Sequence, residues 1–212
     1  MKGNKTTGLI AFMIALCSIA MAQTEELHLE KLVLNKKEKK IFNNRDSSSI
    51  IHIDTLIMKD KSSLQFYGKK DVKLVVKYAE IGDRTFISGQ GAQNNASNFD
   101  IDINFGKLGS LYVIARGQDA NNGTRTYPNG DAGNVNLLYE PTGIVPQTDN
   151  KKKKNYLFVD VSPGGLRVTP SSEISNIYSR IATSSPGLRG LPQGQIYSGS
   201  PGKEGKVSVS SK

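Results

Sequence analysis

The stretch Asp54-Thr55-Leu56-Ile57-Met58-Lys59, then Asp60-Lys61-Ser62, then Ser63-Leu64-Gln65-Phe66 decides how the rest of the chain reads. Aliphatic residues dominate two short segments, and charged and small turn formers part them. No window of helical length here keeps a 3.6-residue apolar period. The same order returns in Asp71-Val72-Lys73-Leu74-Val75-Val76 followed by Ala79-Glu80-Ile81-Gly82. It returns again in Phe99-Asp100-Ile101-Asp102-Ile103-Asn104-Phe105 followed by Gly109-Ser110-Leu111-Tyr112-Val113-Ile114. These read as successive coils of one design, each stacking inward aliphatic side chains on the next. The expectation is an all-β, short-strand solenoid of the β-helix type. A sandwich or jelly roll obeys the same alternation and stands as the alternative.

Working outward, Leu27, Leu29 and Leu32-Val33-Leu34 suggest a first strand, ended by Lys36-Lys37-Glu38-Lys39-Lys40 and the loop-forming Asn43-Asn44-Arg45-Asp46-Ser47. Thr85-Phe86-Ile87-Ser88, Val135-Asn136-Leu137-Leu138-Tyr139 and Tyr156 to Val161 are further strands. The Gly/Asn-rich runs 89–98 and 117–134 tolerate positive φ and read as loops leaving one side of the framework. Ile174, Ile177, Tyr178 and Ile181 would share one face of a short helix with Glu173 in its first turn. From Ser184 the chain is rich in Gly, Pro and Ser. Its glycine-every-third-residue phase fails at Gln193, which argues against a triple helix from this tail alone and for a flexible one. The expected organisation is a signal peptide over 1–22, a β-rich domain over 23–165, a short helix or linker over 166–183 and a flexible tail over 184–212.

The leader has the three zones that export requires. Lys2 and Lys5 make a basic start, Gly8 to Cys17 is an apolar run, and Ala20-Met21-Ala22 offers small residues for a cut after Ala22. That run falls short of the ~20 apolar residues that span a bilayer, so no transmembrane segment is expected after cleavage. Cleavage would also remove Cys17, the one cysteine, and with it any disulfide or thiolate chemistry. The protein is therefore expected at the outer surface or outside the cell, with the periplasm as the alternative.

A formal charge of +9 favours anionic partners, namely acidic polysaccharide or other envelope components, reached through Lys36 to Lys40, Lys69-Lys70 and Lys151 to Lys154. Clustered lysines also suit solvated loops. Trp is absent and the clusters carry no interleaved aromatics, so nucleic acid is not an expected partner.

The stretch Ile53 to Asp60 through Gly89-Gln90-Gly91, then Ile103 to Leu111 and the Gly/Asn loop after it, resembles the exported collagen-like proteins of Bacteroidetes. That resemblance implies a β framework interrupted by glycine-rich inserts and an envelope or extracellular location. Asp54-Thr55-Leu56 resembles the O-glycosylation site of that bacterial group, which would place a glycan on Thr55. The inserts between Gly117 and Gly133 are short and degenerate beside those of the family.

Motifs of catalysis are scarce. His28 and His52 lie in strand-like alternation without a second histidine at ligand spacing, and are expected on a strand surface. Asp100-Ile101-Asp102-Ile103-Asn104-Phe105-Gly106 superficially resembles a calcium loop, but its alternate residues are apolar and its glycine is one place late. Asp119, Asn121 and Asp131 supply hard oxygens that a weak calcium site would use. No G-x-S-x-G or phosphate-binding loop is present. No catalytic, cofactor-binding or metal-ligating residue is therefore assigned. The expected function is that of a non-enzymatic envelope or extracellular protein, structural, adhesive or matrix-associated. A carbohydrate-active β-helix enzyme or a binding module for acidic polysaccharide is the alternative.

Overall fold

The structure, a computed structural model, describes residues 25–44, 46–120, 127–166, 175 and 200–212. The expectations for a signal peptide at 1–22, for the bulk of a helix at 174–181 and for the tail over 184–199 lie outside them. Among the described residues no helix is long and apolar enough to cross a membrane.

Among the described residues eleven strands follow one another: β1 Glu25–Leu34, β2 Lys39–Phe42, β3 Ser48–Met58, β4 Ser63–Tyr67, β5 Asp71–Ile81, β6 Thr85–Gln90, β7 Asn98–Leu108, β8 Ser110–Ile114, β9 Val135–Tyr139, β10 Tyr156–Asp160 and β11 Val207–Ser211. Odd-numbered strands form a six-stranded sheet in the order β1-β3-β5-β7-β9-β11, and even-numbered ones a five-stranded sheet in the order β10-β8-β6-β4-β2. Every pairing between strands is parallel. Parallel pairing throughout, with each strand crossing to the other sheet before its next neighbour, is the topology of a solenoid. It removes the sandwich alternative, which rests on antiparallel strands.

The core is a set of ladders. Ile51, Leu74, Ile101 and Leu137 stack in register across β3, β5, β7 and β9, each at most 1% exposed. From the other sheet Leu64, Ile87, Val113 and Leu157 face them, all buried. Phe42 lies over Phe66, with ring centroids 5.1 Å apart, and Phe66 meets Phe99 edge-on at 5.8 Å.

The long strands break strict alternation midway. Glu30-Lys31, Asp54-Thr55, Lys77-Tyr78 and Gly106-Lys107 each put two consecutive residues outward or half outward, so the inward set steps from Ile53 to Leu56 and from Val76 to Ala79. That step corrects the second coil expected from sequence. Ala79 to Ile81 continues β5, and the partner strand of that coil is β6. β2 was hidden in a lysine cluster. As an edge strand it gains from Lys39 and Lys40, whose charges discourage further pairing.

Coil length is elastic. Residues stacked on successive coils lie 24, 23, 27, 36 and 72 positions apart. Additions fall on the return from an even strand to the next odd one, as between β8 and β9 and between β10 and β11, and once on the other side, where 140–155 part β9 from β10. Four returning segments, 115–118, 127–134, 161–165 and 200–206, are neither helix nor strand. They are nonetheless bonded backbone to backbone. Gly133 and Gly130 donate to the carbonyls of Ala115 and Gln118 at 2.9 and 2.8 Å, and Gly202 and Gly205 donate to Gly164 and Val161, each at 3.1 Å. Within one segment the N–H groups leave in three directions: Gly130 toward Gln118, Asp131 toward the side chain of Asn95, Ala132 toward Lys203. A period of three belongs to a polyproline-II-type chain, where a strand would have a period of two. Glycine at every third place lets the segments touch.

Two expectations are corrected here. The described part of the 117–134 run is packed into this bundle and does not stand off as a loop. The tail expected to be flexible over 184–212 is, from residue 200 onward, part of the fold, because β11 pairs with β9 from Val207↔Val135 to Ser211↔Tyr139.

Candidate functional site

Where the odd strands begin, the long sheet carries an open trough of about 670 Å³ that crosses β3, β5, β7, β9 and β11. Parallel register makes its walls. One outward column runs Ser48, Asp71, Asn98, Asn134, Lys206, and the column two residues further on runs Ile50, Lys73, Asp100, Asn136, Ser208. Between them Val72, Phe99 and Val135 turn inward and are buried, so backbone forms the floor.

Hydrogen bonds hold the first column rung to rung. Asn98 Nδ2 donates to Asp71 Oδ1 at 2.8 Å, Asn134 N donates to Asn98 Oδ1 at 2.9 Å, and Lys206 N donates to Asn134 Oδ1 at 2.9 Å. In the second column Asn136 Nδ2 donates to Asp100 Oδ1 at 3.0 Å. The result is a row of amides, carboxylates and two lysines repeating at the strand spacing of about 4.8 Å.

Further along the same strands the outward side chains neutralise one another. Lys77 meets Asp54 at 2.7 Å, and Lys212 meets both Asp102 and Glu140 at 2.7 Å. Those two carboxylates raise the pKa of the Lys212 ammonium, Asp102 most strongly. Tyr78 donates to Glu80 at 3.2 Å, and that bond raises its phenol pKa. Thr55 sits half-buried in register between Lys31 and Tyr78.

At the corner leading to the short sheet, Lys37, Lys61 and Arg84 repeat a positive φ of 64°, 60° and 55° on consecutive coils. Lys37 N donates to Asp60 O at 3.0 Å and Lys61 N to Asp83 O at 2.9 Å, which stacks these corners into a ridge bearing cations. Lys151 to Lys154 are exposed in the return before β10. The pair Lys69-Lys70 divides. Lys70 is exposed, while Lys69 is fully buried with its ammonium donating to the carbonyl of Asp46 at 2.6 Å, so Lys69 is withdrawn from any anion-binding surface.

Of the calcium candidates, Asp119 accepts from the Gly165 amide and Asp131 from the Lys203 amide, each at 2.7 Å, and Asn121 lies outside the described residues. Both carboxylates fasten the glycine bundle. Asp100 to Gly106 is strand, as expected. His28 and His52 do lie on the strand surface, but the structure also brings them together. Pairing of β1 with β3 sets them side by side with parallel rings, centroids 4.5 Å apart, beside Glu26. Among the described residues this is the one group of His, Cys, Asp or Glu that converges as metal ligands would. The signal that could have found it is the spacing of 24 residues that also separates other stacked positions of the first two coils.

Compared with family models, curated proteins and solved structures, the chain gives no match.

Proposed function

We propose that this is an exported, non-enzymatic envelope or extracellular protein of structural, adhesive or matrix character that lays an extended polysaccharide along the trough. The observation that carries the reading is the pair of columns, polar at every position but Ile50, that repeat at the strand spacing across five strands over an otherwise apolar lining. Sugar hydroxyls both donate and accept, and fixed amides and carboxylates in a row offer both roles. Solenoids commonly present such extended surfaces to extended partners. Anionic groups on the chain or on neighbouring envelope components would be drawn to the corner ridge of Lys37, Lys61 and Arg84. The resemblance to exported collagen-like proteins, the export leader and a glycan on Thr55 belong to the same reading.

The second reading makes the trough catalytic. Asp71 and Asp100 favour it, because glycoside cleavage needs a pair of carboxyl groups. Each of them, however, accepts an amide hydrogen from the next coil, a structural use.

The test is to incubate the mature chain with insoluble and soluble bacterial and plant polysaccharides, measuring retention and release of new reducing ends together. Retention that falls at least about tenfold in a Lys73→Ala, Asn136→Ala double variant, with no new ends, is the expected result. New reducing ends that vanish in Asp71→Asn or Asp100→Asn would give the function to the second reading, and retention by neither the parent nor the variant would remove both.

A further inference from the structure

We propose that Glu26, His28 and His52 form a binding site for a late first-row divalent cation of the zinc and copper class. The proposal stands independently of what fills the trough.

Local geometry supplies the first argument. Glu26 and His28 are two residues apart on β1 and so share its outward face, and register puts His52 of β3 directly beside His28. The Glu26 Oε1 atom lies 3.3 Å from His28 Nε2 and 3.2 Å from His52 Nε2. The three potential ligand atoms all fall within 4.8 Å of one another. In a tetrahedral site with bonds of about 2.0 to 2.1 Å, neighbouring ligand atoms are about 3.3 Å apart. Both carboxylate-to-imidazole edges of this triangle already have that length. The edge between the two nitrogens, within 4.8 Å, would close by rotation of the exposed His28 ring and the half-buried His52 ring.

Chemistry selects the ion. Two imidazole nitrogens and one carboxylate oxygen are a borderline donor set that suits zinc, copper and nickel, whereas calcium and magnesium ask for oxygen throughout. Access is open, since the side chains of His28 and Glu26 are 71% and 56% exposed and that of His52 30%. Three protein ligands leave a fourth position for water or for an atom of a neighbouring molecule. Bound there, the ion would tie the edge strand β1 to β3 across the first two coils.

The experiment titrates Zn²⁺ into the tag-free mature chain by calorimetry and records the visible spectrum of the Co²⁺ form. One ion per chain, tetrahedral cobalt bands and a rise in melting temperature on adding Zn²⁺ are expected. His28→Gln and His52→Gln should each lower affinity by at least the ~10-fold that even an outer-shell change costs. Glu26→Gln should weaken it as well, all three variants keeping the parent circular dichroism because the side chains lie on the surface. Absence of one-to-one binding, or binding that survives in the His28→Gln, His52→Gln double variant, would overturn the site.

Discussion

Gly130 lies so close to the carbonyl of Asn94 that a Cβ on it would overlap that oxygen. Gly117 against Gly130, Gly133 against Ser97, Gly164 against Gln118, Gly202 against Gly130 and Gly205 against Gly133 repeat the relationship. Each obstacle is backbone, which cannot swing aside. Gly130→Ala is therefore expected to cost about 3 kcal/mol, at the upper end of the usual overpacking range. Gly68, by contrast, has a positive φ of 73° and open space around it, so Gly68→Asn should cost well under about 1 kcal/mol. Urea melts of the two variants check the contrast; equal destabilisation would mean that close approach is not what these glycines supply.

Lys61 holds a left-handed backbone at φ 60°, which costs an L residue about 1 kcal/mol or more. Lys61→Gly should thus raise stability by about 0.5 kcal/mol, net of the freedom glycine gains when unfolded. The same change removes a cation from the ridge. Retention on an acidic polysaccharide column should fall, and the loss should shrink as salt is added to both proteins. Stability and binding moving in opposite directions would separate the two roles of this position.

Ser62 is fully buried, and its hydroxyl has no hydrogen-bond partner. Removing a desolvated, unpaired donor is favourable where the shape is kept, so Ser62→Ala should stabilise by about 1 kcal/mol. Leu74→Ala, on the same scale, should cost about 2 to 5 kcal/mol, since it opens a cavity in a ladder with filled rungs on either side. Differential scanning calorimetry reads both. A destabilised Ser62→Ala would show that the hydroxyl is bonded after all.

Lys212 carries a raised pKa because Asp102 and Glu140 both accept from its ammonium. The sign follows from the folded value lying above the unfolded one. The contribution is complete below the ordinary value of 10.5 and is lost as pH rises through the higher folded value. An NMR titration of the Lys212 side chain should show a midpoint that falls in Asp102→Asn and falls further in Asp102→Asn, Glu140→Gln. An unchanged midpoint would detach β11 from this anchor.

The class of fold was legible in the order of residues. Alternating aliphatic residues, charged turns at coil intervals and the lack of a helical period are local properties, and they survive without knowledge of partners. Ile51, Ile53, Leu64, Leu74, Ile101 and Val113 could be placed inward on that ground alone. The step at Asp54-Thr55 and Lys77-Tyr78 could not be, because two outward residues in succession mimic the end of a strand. That is why Ala79 to Ile81 read as a separate element. The order at the C-terminus was equally hidden: Gly202 and Gly205 look like a flexible tail until Gly164, Val161 and β9 stand beside them. The trough and the histidine pair arise only when the coils stack. Asp71, Asn98 and Asn134, or His28 and His52, are strangers along the chain, and coils of unequal length conceal which residue will face which. Parallel pairing turns that unequal spacing into a constant one of about 4.8 Å, and at that distance side chains become a site.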